Sequence, residues 1–314
     1  MITIADVALV VLSLIAVTIS LAYNWRLFLR KYAISIPVIA VIFFVYHSFL
    51  VFPVFVLSLI SASMLYSLQF YLPFAVDFGI ILYFLVVYGK TYSATPIDIT
   101  ISLATILVML EDKRIRDFSH NNDQSRGISK EREINRDYVQ IGIGIIVLIF
   151  VLSLGLHDSA WLLTVAVLAL YLLGNYFSNN GSNYLGNFLN SLERESTPLG
   201  IGAIWLAAGL LLAMGIVRNL DVLAIIIFIL MVGDSLATII GSSVRSPKLP
   251  YNRRKSVAGL LANFIPAAIF AFVLLGYAGI AFAAVGSVVE SASRYPLDDN
   301  YMIPLVLAAL SFFI

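Results

Sequence analysis

Long, uninterrupted apolar segments are the feature of this sequence that most restricts how the chain folds. Residues 2–22 and 220–238 are each almost wholly apolar, and an α-helix needs about 20 such residues to cross the hydrocarbon core of a bilayer. Only 12% of the residues are charged and 61% are hydrophobic, whereas about a quarter of the residues in a soluble domain are charged. The apolar segments are continuous rather than alternating, so they predict membrane helices and argue against a membrane β-barrel.

The apolar segments predict an all-α fold, a polytopic transmembrane bundle of roughly 12 helices. The predicted helices cover residues 2–22, 33–50, 52–70, 73–89, 95–110, 139–156, 160–178, 199–217, 220–242, 257–275, 277–290 and 301–314. Lys and Arg concentrate in three segments between predicted helices, at residues 26–31, 113–136 and 245–255. An even number of predicted helices separates each segment from the next, so the positive-inside rule places all three on the cytoplasmic side.

Residues 111–138 form the main break in composition, because they mix both charge signs and contain few apolar side chains. We expect this cytoplasmic loop to separate the N-terminal transmembrane helices, residues 1–110, from a C-terminal transmembrane domain, residues 139–314. No role for residues 1–110 follows from their sequence. The net charge of +1 gives no global field that would attract nucleic acid. The absence of Cys excludes disulfides, thiolate metal sites and Cys nucleophiles.

Asp234 is the first candidate functional residue, because it lies inside the predicted helix 220–242. A charge within a membrane helix costs at least a few kcal/mol on insertion scales. The small residues Gly233, Ala237 and Gly241 recur every four positions around it, which is typical of a close helix–helix contact. Asp234 is then either a structural residue whose carboxylate is hydrogen-bonded within such a contact, or a carboxylate that holds a metal ion or polarises a hydroxyl.

The segment after this helix is unusually basic. Five cations fall within eleven positions, namely Arg245, Lys248, Arg253, Arg254 and Lys255. Positive-inside flanking explains one or two of them, whereas five favour binding of a polyphosphate by Arg and Lys. The helix that begins at Ser256 would add backbone amides to such an anion site.

Two more polar stretches are predicted on the same side of the membrane. Glu193, Arg194 and Glu195 precede a helix start at Pro198, and a solvated loop capped by Thr197 is the favoured explanation when this motif is taken alone. The second stretch carries oxygen ligands that suit Mg²⁺, although helix capping is an equal alternative. Its members are Glu290, Asp298, Asp299 and Asn300. Acids and cations collected on one face of a membrane bundle indicate phosphoryl chemistry.

Four ordered blocks of the C-terminal half resemble the polyprenol kinase family, which includes dolichol, phytol and geranylgeraniol kinases. The blocks are "LERESTPLG", "VGDSLATIIGSSVRS", "RRKSVAGLLANF" and "VVESASRYPLDDNYMIPL". The residues that match the family motifs are Arg194, Glu195, Gly233, Asp234, Gly241, Lys255, Ser256, Gly259, Glu290, Asp298, Asp299 and Asn300. The match departs from the family at Ala258, where an acid is usual, and at "SVRSPK", where the family has a Gly-rich end.

The resemblance implies a membrane kinase that transfers the terminal phosphate of CTP to the hydroxyl of a long-chain isoprenoid alcohol, with Mg²⁺ as cofactor. It makes residues 139–314 the catalytic domain and places the active site at the cytoplasmic face. It implies catalytic roles for Asp234, Asp299 and Lys255. It implies nucleotide binding by Arg194, Arg245, Lys248, Arg253, Arg254, Lys255, Ser256 and Gly259. It implies metal binding by Asp234, Glu290, Asp298, Asp299 and Asn300.

Two other functions fit parts of the sequence. A CDP-lipid synthase also uses CTP in a membrane, but the chain lacks the dense run of acids and glycines expected near the C-terminus of such an enzyme. A transporter would use Asp234 as a coupling-ion site near the membrane midplane. The polar residues instead cluster towards one face, and no inverted repeat is evident.

The predicted orientation is tested by a cysteine in place of Ser125. A membrane-impermeant maleimide should label this position from the cytoplasmic side only, because the positive-inside rule places residues 111–138 there. The chain has no native Cys, so the label reports on that position alone. Labelling from the outside only would reject the orientation.

Overall fold

The structure, a computed structural model, describes residues 4–48, 50–67, 69–87, 95–111, 130–179, 184, 186, 200–294 and 298–314. Within these ranges the chain is all-helical, with ten helices and no named strand. The first five are α1 (Ile4–Tyr46), α2 (Val51–Ser63), α3 (Tyr71–Val87), α4 (Thr95–Glu111) and α5 (Lys130–Asn179). The others are α6 (Ile201–Ile216), α7 (Leu220–Ser243), α8 (Val257–Leu275), α9 (Tyr277–Ala292) and α10 (Asp299–Leu310).

In the described residues the structure has ten helices rather than the predicted 12 or so, because two pairs of predicted helices each form one helical run with a kink inside it. Helix α1 joins the first two and departs from helical geometry only at Asn24 (φ −153°, ψ 85°). Helix α5 joins the sixth and seventh and departs from it only at Gly155 (φ 79°, ψ −179°). Asn24 interrupts the helix, and its side chain accepts from the N–H of Leu27 at 3.2 Å, so the helix restarts there and continues through residues 25–32. Arg26, Arg30 and Lys31 therefore lie within α1 rather than in a loop.

Four helices are long and apolar enough to cross a membrane, which agrees with a membrane protein. They are α1, α5, α7 and α8. Helix α7 differs from the other three because 67% of its most apolar window is buried, against 17–28% for the others. A helix that is hydrophobic on all sides is buried on all sides, and here α7 is the centre around which the C-terminal helices pack.

The helices enclose two buried clusters of apolar side chains. The first contains residues of α1–α4, the second half of α5 and α6, and also Tyr301 of α10. The second surrounds α7 with the first half of α5, the end of α6, and α8–α10. Helix α6 belongs to both clusters, and it therefore links the N-terminal helices to the helices around α7.

Polar side chains also connect the helices inside the first cluster. Ser102 of α4 donates to the carbonyl oxygen of Ala208 in α6, at 2.7 Å. Thr164 of α5 donates to Asp98 of α4, also at 2.7 Å. Ser61 of α2 donates in the same way to the buried Asp77 of α3. Such bonds stabilise helix association where lipid removes the hydrophobic driving force.

Helix α6 also positions the start of α10 through a close contact at Gly209. A Cβ atom added to Gly209 would overlap the backbone carbonyl oxygen of Asn300. This backbone is part of α10 and moves only if the helix moves. The absence of a side chain at Gly209 thus lets α10, with Asp299 at its first turn, lie directly on α6.

Gly209→Ala should therefore lower the free energy of unfolding by about 1–3 kcal/mol, the usual cost of overpacking. The matched control is Gly79→Ala, because a Cβ atom at that helical position meets nothing within 4 Å. Thermal unfolding of both variants in detergent measures the difference. Equal melting temperatures would contradict the close packing of α6 against α10.

Candidate functional site

The small-residue face of α7 packs against α8, as its spacing of four predicts. A Cβ atom added to Gly259 would lie 2.9 Å from the carbonyl oxygen of Ala237, and one added to Gly241 would lie 3.2 Å from the Cα of Gly259. One added to Gly233 would lie 2.5 Å from Oδ1 of Asn263. These close approaches fix α7 against α8 on either side of Asp234.

A π-helical turn, Phe228–Gly233, immediately precedes Asp234. The N–H of Asp234 donates to the carbonyl oxygen of Ile229, five residues back, instead of to the residue four back as in an α-helix. Such turns are rare and occur frequently at functional sites. The sequence analysis did not predict this turn, because its residues are uniformly apolar.

The basic loop, residues 244–256, is compact and docked. The N–H of Leu249 donates to the Lys255 carbonyl oxygen at 3.1 Å. Two of its side chains contact Ser291 at the end of α9: the Tyr251 hydroxyl lies 2.8 Å from the Ser291 hydroxyl, and the buried Asn252 amide donates to the Ser291 carbonyl oxygen at 2.9 Å. The Ser256 hydroxyl accepts from the N–H of Gly259 at 3.2 Å and so caps α8. These bonds determine the place of Lys255 between the loop and α8.

Three carboxylates from three helices meet at this place. Asp234 of α7, Glu290 of α9 and Asp299 of α10 each offer an oxygen, and these oxygens all lie within 4.8 Å of one another. Nζ of Lys255 lies 4.0 Å from Asp234 and 3.7 Å from Asp299, and it donates a hydrogen bond to Glu290. Glu290 is only 1% exposed, whereas Asp299 is 26% exposed. The carboxylate cluster is therefore closed on the side of α9 and open on the side of α10.

The charge state of Lys255 follows from its neighbours. Burial lowers the pKa of its ammonium group, but the three carboxylates outweigh burial and raise that pKa above its ordinary value. Because the folded-state pKa is raised, the stabilisation is fully present below the ordinary lysine pKa and is lost only as the pH rises through the folded value. Lys255 is therefore a cation throughout the neutral range and is unsuited to act as a general base.

The carboxylate cluster fits a divalent metal ion by its chemistry. Carboxylate oxygens are the ligands that Mg²⁺ prefers. With all three acids ionised, three negative charges and one ammonium leave two negative charges in the cluster. A divalent cation would neutralise these charges, with Asp234, Glu290 and Asp299 as its ligands.

Four other predicted site residues lie on the basic loop. Arg245, Lys248, Arg253 and Arg254 are exposed on the basic loop, and Nζ of Lys248 donates to the carbonyl oxygen of Arg254 at 3.3 Å. Arg194 and Glu195 lie outside the described residues.

Helix capping accounts for one of the predicted metal ligands. Asp298 caps α10, with its carboxylate accepting from the N–H of Asn300 at 3.0 Å. Neither Asp298 nor Asn300 belongs to the group of acids whose oxygens converge. Their metal-binding role stays a prediction. Capping by Asp298 agrees with the alternative interpretation of this stretch.

Three residues near the start of α5 also approach Asp234, and none of them is among the predicted site residues. Arg136 pairs with Asp137 at 3.2 Å, and Asp137 is 2% exposed. Both lie close enough to Asp234 for the charges to interact. Gln140, one turn after Arg136, donates to the carbonyl oxygen of Leu230 at 3.4 Å. Adjacent Arg and Asp residues at the start of an apolar segment are the sequence signal that points to them.

Three curated proteins are similar to this chain in sequence. The chain is similar to an uncharacterized protein of Methanocaldococcus jannaschii, with 34% identity over 125 residues, 40% of this chain and 64% of that protein. It is similar to a probable chloroplastic phytol kinase of Glycine max, with 30% identity over 145 residues, 40% of this chain and 48% of that protein. A probable chloroplastic phytol kinase of Oryza sativa subsp. japonica is 29% identical over 189 residues, 57% of this chain and 58% of that protein.

The chain thus spans about half to two thirds of the length of these curated relatives. No family model and no solved structure matches it. The likeness to two probable phytol kinases supports the resemblance drawn from the motifs at a coarse level, that of a prenol-type membrane kinase.

Lys255→Met should lower the free energy of unfolding by up to about 3 kcal/mol, because breaking a buried ion pair leaves like charges uncompensated. Lys255→Arg retains the positive charge and should retain most of the stability. In the unaltered chain the contribution of Lys255 should stay constant from about pH 6 to pH 9, below the raised pKa. Thermal unfolding across this range measures both effects, and an unchanged melting temperature in Lys255→Met would contradict the ion pairs.

Proposed function

We propose that this chain is a magnesium-dependent membrane kinase, which transfers the terminal phosphate of CTP to the hydroxyl of an isoprenoid alcohol at the cytoplasmic face. The observation that carries this proposal is the carboxylate cluster around Lys255, beside a loop rich in arginine and lysine. Phosphoryl transfer needs cations for the phosphates and carboxylates for a metal ion and for the attacking hydroxyl. Both are present within one small region of the molecule.

The basic loop is the proposed nucleotide-binding surface. Arg245, Lys248, Arg253 and Arg254 are exposed on it, so their charged groups are accessible to a polyphosphate. Arginine binds phosphate oxygens through two parallel N–H donors, and lysine binds them as a point charge. Arg194 is assigned here from the motif alone. The hydrogen bonds of Ser256 and Gly259 at the start of α8 support a structural contribution to this surface.

In the proposed reaction the alcohol oxygen attacks the terminal phosphorus, and the bond from that phosphorus to the bridging oxygen breaks. CDP leaves, and the hydroxyl proton passes to a carboxylate of the cluster. Asp234 and Asp299 are the candidate acceptors, because both retain solvent exposure whereas Glu290 is buried against Lys255. Lys255 holds the carboxylates together and stabilises negative charge on the transferred phosphate. When bound, Mg²⁺ supplies charge neutralisation and orientation of the phosphates.

An exposed apolar row along α8 is the proposed surface for the hydrocarbon chain of the substrate. Leu261, Ile265, Ile269 and Phe272 recur at helical spacing and are all exposed. This row begins two turns after Lys255, so an apolar chain lying along it would end with its hydroxyl near the carboxylate cluster. The similarity to two probable phytol kinases supports a prenol-type alcohol as substrate.

The decisive assay incubates the purified chain with Mg²⁺, labelled CTP and one of four alcohols: farnesol, geranylgeraniol, phytol or dolichol. A kinase yields the alcohol monophosphate and CDP. A CDP-lipid synthase attacks the α-phosphate and yields pyrophosphate. A transporter turns over no CTP and moves a solute across vesicles. Pyrophosphate as the product, or no turnover with any alcohol, would overturn the proposal.

Asp234→Asn should abolish phosphate transfer, by on the order of a hundredfold or more, because it removes a charged oxygen ligand from the cluster. The side chain keeps its size, so the protein should remain folded and membrane-inserted. CTP-dependent phosphorylation of the preferred alcohol and the melting temperature are measured together. Near-normal turnover in this variant would reject the role of Asp234.

A further inference from the structure

The π-helical turn in α7 changes the bonding of one backbone carbonyl, that of Leu230. In an α-helix this oxygen would accept from the N–H of Asp234, but that N–H donates to Ile229. Nε2 of Gln140 in α5 donates to the Leu230 oxygen instead, at 3.4 Å. The side-chain amide of Gln140 in α5 thus donates to a carbonyl oxygen of α7 that the N–H of Asp234 does not use.

The packing of α5 against this turn makes the bond possible. Gly144 lies one turn after Gln140, and a Cβ atom added to it would lie 2.7 Å from Cβ of Met231. The lack of a side chain at Gly144 therefore brings α5 into direct contact with the π-helical turn. Arg136 lies one turn before Gln140 on the same face of α5 and is close enough to Asp234 for their charges to interact. Three successive turns of α5 consequently face the segment that carries Asp234.

We propose that Gln140 is a positioning residue, whose side-chain amide stabilises the π-helical turn and so holds Asp234 in register with Glu290 and Asp299. The inference rests on the proposed function, because it treats these acids as the ligands of a divalent metal ion. A π turn contains one residue more than an α turn. Return to α-helical bonding would rotate the residues on one side of it by about 100° relative to the other. Asp234 would then leave the carboxylate cluster.

Binding of Mn²⁺ tests this directly, because Mn²⁺ takes the same oxygen ligands as Mg²⁺. Gln140→Met keeps the length of the side chain and removes its N–H donor. The dissociation constant for Mn²⁺, measured from the free-ion EPR signal with the full chain in detergent, should rise about tenfold or more.

A second pair of variants tests the same bond without changing Gln140. Gly144→Ala pushes α5 away from Met231 and should weaken Mn²⁺ binding in the same direction. Gly142→Ala is the matched control, since a Cβ atom there meets nothing within 4 Å, and it should bind Mn²⁺ as the unaltered chain does. Melting temperatures without Mn²⁺ separate loss of metal affinity from loss of fold.

Each outcome decides between the two proposals. Weaker Mn²⁺ binding by both Gln140→Met and Gly144→Ala, with folded protein, supports the positioning role. Unchanged Mn²⁺ binding by Gln140→Met overturns that role and leaves the proposed kinase untouched. No Mn²⁺ binding by the unaltered chain overturns the positioning role together with the metal-dependent part of the proposed function.

Discussion

One ammonium group, that of Lys255, is the interaction on which the arrangement of the C-terminal helices depends. It lies among carboxylates from α7, α9 and α10. Two like charges 4 Å apart repel by about 4 kcal/mol at an effective dielectric constant of 20. Three helices that bring such groups together need a positive charge at the meeting point. The site is therefore stable only as a mixed cluster of acids and cation.

The packing around the carboxylate cluster brings the helices that carry its charged groups close together, because glycines replace bulky side chains at the contacts. Glycines let α7 touch α8 at Gly259, let α6 touch α10 at Gly209 and let α5 touch α7 at Gly144. In lipid such close contacts take the place of hydrophobic collapse as a source of stability. The same contacts leave few degrees of freedom for the helix ends that carry the charged residues.

Much of this organisation can be predicted from the sequence, and the limits have physical causes. The spacing of Gly233, Ala237 and Gly241 predicted a close helix contact, because a period of four marks one face. The helix count was too high because the polar segment 25–32 reads as a loop when hydropathy alone is considered, whereas in the structure only Asn24 departs from helical geometry and the helix continues after it. The sequence could not separate Asp298 from Asp299, since capping and cluster formation use the same residue type one position apart. The π-helical turn has no signature in an apolar run.

The anchoring of the basic loop has a consequence for how substrates arrive. Asn252 is buried, and its amide donates to the Ser291 carbonyl oxygen in the last turn of α9, so moving the loop outward would break this hydrogen bond. A segment held in this way is a fixed wall rather than a lid. A ligand at this surface would meet a shape and a charge pattern that exist before binding.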